Sequence, residues 1–79
     1  MSELPCISGR EIVAALDKHG YKKDRQKGSH IVLRQTVYPH RRLVVPDHRE
    51  ISKGTLRAII KQAGLTVAEF NMLLSLKKK

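Results

Sequence analysis

Apolar positions in this chain recur with two periods, and the switches between them mark out six elements. Ile12, Val13 and Leu16, with Ala15 beside them, fall on one face of a helix. Ser8 and Glu11 just upstream have the spacing of a capping box, in which each side chain accepts from the other residue's backbone N–H. Gly20 is a good stop for that helix, and His19 beside it suits the carboxyl pole of the helix dipole. From Tyr21 to Arg25 the period drops to two. Tyr21, Lys23 and Arg25 are expected on one side and Lys22 and Asp24 on the other, as in an edge strand guarded by charge. His30 to Gln35 predicts a stronger strand, with Ile31 and Leu33 toward a core and His30, Val32 and Arg34 on the other face. Arg42 to Val45 predicts a third strand, stopped by Pro46.

The helical period then returns. Ser52 is the expected N-cap of a helix that buries Leu56, Ile59, Ile60 and Ala63 and ends at Gly64. Thr66 and Glu69 repeat the capping box ahead of a short last helix with Phe70, Leu73 and Leu74 on its apolar side. The order helix, three strands, helix, short helix predicts an α+β fold, an antiparallel three-stranded sheet with helices on one face. The other face is left open and basic. With no internal repeat and no linker, residues 1–79 read as a single domain, with a core over about 8–74 and a disordered basic tail at 77–79. Val37 and Tyr38 are unusually apolar for the connection between the second and third strands; they either extend the hairpin or meet a partner.

Charge narrows the function. Sixteen Lys and Arg stand against seven Asp and Glu, a net charge of +9. Such a chain attracts polyanions, nucleic acid first. An anionic membrane surface fits less well, because no basic amphipathic helix carries bulky aromatics, and no apolar run approaches the ~20 residues that span a bilayer. Tyr21, Tyr38 and Phe70 are too few for a sheet that stacks bases on a row of rings, so recognition through backbone and shape is expected. Cys6 stands alone and forms no internal disulfide, which fits a reducing cytoplasm, and the first residues carry no secretory signal.

Candidate chemistry centres on Arg25-Gln26-Lys27-Gly28-Ser29-His30. Gly28 and Ser29 suit a tight turn, and the next strand opens on His30, a side chain that exchanges protons near neutral pH. Arg25, Lys27 and Arg34 surround it in sequence. A titratable ring among cations at a hairpin corner is a place to hold and cut a phosphodiester. Lys53, Arg57 and Lys61 recur every four residues along the predicted long helix and are a further candidate phosphate-binding row. His48, in the polar loop after the third strand, is a second candidate acid or base. The scattered carboxylates show no paired spacing for a metal-dependent nuclease. The cysteine and histidines lack the short intervals of a zinc site, and no constellation supports a nucleophilic Ser or Cys. No cofactor is expected.

These residues resemble the HicA family of mRNA-cleaving toxins. Ser8-Gly9-Arg10-Glu11-Ile12 is similar to the family's opening helix, and Gly20-Tyr21 to its entry into the first strand. The stretch from Arg25 to His30 matches the family's central motif, and Val45-Pro46-Asp47-His48 resembles its Val-Pro-x-His segment. Gly54-Thr55-Leu56-Arg57 and Ile60-Lys61-Gln62-Ala63-Gly64-Leu65 are similar to its closing helix. The resemblance implies a double-stranded-RNA-binding-domain-like αβββα fold. It also implies metal-free ribonuclease activity on messenger RNA, His30 as the catalytic histidine, and a HicB-type antitoxin that blocks this surface, as in a type II toxin–antitoxin pair. The chain departs from the family pattern at Ile31, where a second histidine is common, and in the longer, more apolar connection Val37-Tyr38-Pro39-His40-Arg41.

RNA carries its own nucleophile, the 2′-hydroxyl. An imidazole at its ordinary pKa of ~6.5 is largely neutral at cellular pH and can take that proton. His30 is therefore the expected general base, with Arg25, Lys27 or Arg34 stabilising charge on the phosphoryl oxygens and His48 the candidate leaving-group acid. Gly28 and Ser29 would present backbone to the RNA. Two other classes compete: a non-catalytic RNA-binding module of the same architecture, and an interaction protein whose basic face docks an acidic partner.

Overall fold

The computed structural model describes residues 4–76; the basic tail at 77–79 and the first three residues lie outside the described residues. The elements follow in the order α1 (Gly9–Asp17), β1 (Tyr21–Lys27), β2 (His30–Gln35), β3 (Arg42–Pro46), α2 (Lys53–Gln62) and α3 (Val67–Ser75). This is a double-stranded-RNA-binding-domain-like α+β arrangement with an extra C-terminal helix. Both capping boxes form. Ser8 Oγ accepts from Glu11 N at 3.2 Å while Glu11 Oε1 accepts from Ser8 N at 2.9 Å, and Thr66 and Glu69 exchange the same bonds at 3.0 and 2.8 Å. Ser52 caps α2 through Thr55 N at 3.3 Å. Gly20 and Gly64, at φ +90° and +80°, take the left-handed conformation that turns the chain out of a helix.

The sheet is antiparallel in the order β1-β2-β3. Its inner face gives Tyr21, Ile31, Leu33, Leu43 and Val45 to one core, where they meet Ile12 and Leu16 of α1, Leu56, Ile59 and Ile60 of α2, and Phe70 of α3. All of these are buried. The helices therefore cover one face, and the other stays open.

β1 departs from simple alternation. Its register against β2 shifts between Lys23 and Arg25, leaving Asp24 as a bulge. Directly opposed residues of an antiparallel pair project to the same face. Lys23 opposes buried Leu33, and Gln26 opposes buried Ile31, so both lie on the helical side. Arg25 opposes Val32 and Lys27 opposes His30, so both lie on the open side. The expectation that Tyr21, Lys23 and Arg25 share a face is thus corrected. The extra residue turns Arg25 outward while Tyr21 stays fully buried. β1 also runs two residues further than the alternation indicated, to Lys27.

The opening of α1 is pressed against the end of β3. Gly9 N donates to His48 O at 2.9 Å, and a Cβ on Gly9 would fall onto the carbonyl oxygen of Pro46. Only glycine allows this approach. At the opposite end of the sheet, Val37 and Tyr38 do not extend the hairpin. They stand in the β2–β3 connection, 64% and 87% exposed.

Candidate active site

His30 opens β2 immediately after the two-residue turn Gly28-Ser29. Gly28 has φ +59°, as a tight hairpin turn of this kind needs at its first position. Burial of Ile31 and Leu33 sends His30, Val32 and Arg34 to the open face. The register with both neighbours then arranges that face in three rows. Lys27, His30 and Pro46 form the row at the turn; Arg25, Val32 and Val44 the middle row; Lys22, Arg34 and Arg42 the far row. Cations flank a small apolar centre in which Val44 is 49% exposed. His30, Arg25, Lys27 and Arg34 are exposed, and none of them takes part in an ion pair among the described residues.

The turn before His30 is braced from three directions. Asp47 N donates to Ser29 O at 2.6 Å, tying the turn to the residue after β3. Gln26 Nε2 reaches Gly28 O and Asp47 Oδ2, each at 3.1 Å. Arg10 Nε of α1 meets Asp47 Oδ1 at 3.2 Å. The hydrogen bond from Arg10 holds the Asp47 carboxyl below its ordinary pKa, with the Gln26 hydrogen bond and nearby positive charge adding to it against a smaller cost of burial. Asp47 stays ionised, and it positions the corner without touching the open face. The sequence pattern gave no sign of this role, because the partners lie 21 and 37 residues away.

The remaining candidates lie elsewhere. His48 is exposed at the same end of the sheet, but it lines a depression with Ser8, Arg10, Asp47 and Arg49 that His30 does not line. Lys53, Arg57 and Lys61 are exposed on α2, in the helical layer. They do not join the face that carries His30. His19 stacks on Tyr21, ring centroids 6.2 Å apart, in keeping with a structural part. Among the described residues, no three of His, Cys, Asp and Glu gather as a metal-ligand set. None of the described helices is long and apolar enough to cross a membrane.

An exposed histidine at a braced hairpin corner, on a cationic sheet face, is what the motif from Arg25 to His30 builds. The family model described as HicA toxin of bacterial toxin-antitoxin matches residues 9–65. The chain belongs to the HicA toxin family. The match takes in α1, the whole sheet and α2, and so includes every residue of the three-row face; α3 lies beyond it. No match to the chain was found among curated proteins. Membership of the HicA family implies an antitoxin partner.

Proposed function

We propose that this chain is an endoribonuclease that cuts messenger RNA without a metal ion, with His30 as general base, and that a HicB-type antitoxin silences it by covering the same face. The observation that carries this reading is the exposure of His30 on the open sheet face, in one row with Lys27 and one row from Arg25. The neutral ring takes the proton of a ribose 2′-hydroxyl. The freed oxygen attacks the adjacent phosphorus, the bond from phosphorus to the 5′-oxygen breaks, and that oxygen leaves with a proton from solvent or a second acid. One fragment ends in a 2′,3′-cyclic phosphate and the other in a 5′-hydroxyl. Arg25 and Lys27 face the same side as His30 and would offset charge building on the phosphoryl oxygens, while Arg34, further along the same face, would hold backbone away from the reacting phosphate. The Gly28 and Ser29 backbone, held by Gln26 and Asp47, fixes where the ring begins. Lys53, Arg57 and Lys61 would attract the polyanion from the helical side without meeting the reacting phosphate. A target in messenger RNA sets the site of action in the cytoplasm.

The test incubates purified wild type and His30→Ala with end-labelled RNA and the matching DNA, with and without chelator. RNA cleavage that resists chelator, spares DNA and falls by roughly a hundredfold or more in His30→Ala is the expected result. Cleavage by His30→Ala at a rate near that of wild type sinks the assignment. RNA that is bound tightly in low salt yet left intact by wild type favours the non-catalytic binding module instead.

A further inference from the structure

The far row of the sheet face has a property that the chemistry at His30 does not use. Arg34 opposes Arg42 on one side and Lys22 on the other. Like charges directly opposed across strands destabilise a sheet, so a row of three calls for a counter-charge. Among the described residues it is supplied only at the ends: Asp17 meets Lys22 at 2.9 Å, and Asp24 approaches Arg42 at 4.0 Å. Arg34, in the middle, forms no ion pair among the described residues. Arg34 and Lys22 share a depression with Thr36 and His40 of the β2–β3 connection.

That connection is built to hold a ring in solvent. His40 takes φ +59°, a conformation few non-glycine residues adopt. It is kept there by its N–H bond to Val37 O at 2.8 Å and by the approach of its Nδ1 to Gln35 O at 3.2 Å. Gln35 Oε1 also accepts from Arg41 N at 2.9 Å. Tyr38 rests edge-on against the His40 ring, centroids 6.4 Å apart, and is otherwise 87% exposed. A solvated aromatic set against His40, whose ring borders the depression that holds Arg34, unpaired among the described residues, together with Lys22 and Asp24, matches the makeup of a single-strand site, in which a ring stacks a base and a cation holds a phosphate.

We infer that Tyr38 is a stacking platform for an unpaired base of the bound RNA, displaced along the strand from the phosphate at His30, with Arg34 gripping the backbone between them. His30 and Arg34 are four residues apart on β2, or ~13 Å at strand rise. That is the length of about four stacked nucleotides at ~3.4 Å each. The platform therefore selects for single-stranded sequence beyond the cleaved step. This inference rests on RNA being the ligand of the sheet face, but not on cleavage.

The test measures affinity in the His30→Ala background, so that RNA stays intact, at one fixed salt concentration. Tyr38→Ala should weaken binding of an oligonucleotide of about twelve nucleotides by roughly five- to hundredfold, the usual loss for one stacking contact. Tyr38→Phe should bind like the parent, and an oligonucleotide of about two nucleotides should not sense either change. 2-Aminopurine walked along the longer strand should be quenched at one position, and Tyr38→Ala should abolish that quenching. The thermal midpoint of Tyr38→Ala should match the parent's, since the side chain is exposed. Binding of the longer strand by Tyr38→Ala within twofold of the parent overturns the inference, and leaves the ribonuclease reading intact if wild type still cuts RNA. Tyr38-dependent binding of RNA that wild type never cuts does the reverse. Failure to bind either strand overturns the inference, and overturns the ribonuclease reading too only if wild type leaves RNA uncut.

Discussion

Gln26 Nε2 lies 3.1 Å from Asp47 Oδ2, joining the end of β1 to the residue that follows β3. The same amide also holds Gly28 O, so one side chain closes the turn and anchors it. His30 follows two residues later. Gln26→Leu should therefore leave the core intact while loosening the corner. The expected result is faster amide exchange at Ser29 and His30, with lower RNA cleavage and an almost unchanged thermal midpoint. Unchanged exchange at the turn would show that the brace does nothing.

Asp47 adds a pH signature. Its carboxyl is held below the ordinary value, chiefly by the hydrogen bond from Arg10. A group whose pKa is lower in the folded state stabilises the fold above its unfolded value, ~3.9 for Asp, and loses that contribution as pH falls through the folded value. Asp47→Asn should lower the thermal midpoint at pH 7, and the gap from wild type should close as the pH drops below ~4. Thermal melts across that range check the sign; a gap independent of pH contradicts it.

His30→Ala should cost roughly 10²–10⁴-fold in the rate of RNA cleavage, the usual worth of a general base. Stability should shift by no more than ~0.5 kcal/mol, because an exposed side chain without a hydrogen-bonding partner among the described residues supports no packing. Single-turnover cleavage and a melt on the same preparation separate the two effects.

Gly9→Ala should destabilise by ~1–3 kcal/mol, as overpacking does, because its methyl group meets the Pro46 carbonyl rather than a yielding side chain. The Gly9 N–His48 O bond would be displaced with it. Gly54→Ala is the control: it sits in α2 with nothing near an added Cβ and should be neutral or slightly stabilising. A denaturant titration of both variants decides the point.

Cys6 donates its thiol to Glu50 Oε2 at 2.9 Å, and this bond, with the carboxylate charge, raises the thiol pKa. Less thiolate at a given pH means slower alkylation. Glu50→Gln should speed the reaction of Cys6 with iodoacetamide near pH 8, read by mass spectrometry. Equal rates would show that the contact does not form in solution.

The elements that carry an apolar stripe were legible in the chain itself. Ile31 and Leu33 fixed which way His30 faces, and the two capping boxes marked the starts of α1 and α3. Where the stripe is missing, the chain carries no such signal. From Lys22 to Lys27 every side chain is polar, so a register shift leaves no trace in the pattern, and Arg25 was expected beside Tyr21. The bracing of the turn was invisible for another reason. Arg10, Gln26 and Asp47 are ordinary surface residues until folding brings them together, and no spacing along the chain encodes that meeting.

The bulge at Asp24 has a consequence for what a single strand can present. Tyr21 answers to the interior, while Arg25 and Lys27 answer to whatever lies on the sheet, and an unbroken strand would bind all three to one parity. Resetting the count between them frees each end from the other. One short edge strand can therefore seat a buried ring and present outward cations at positions of the same parity.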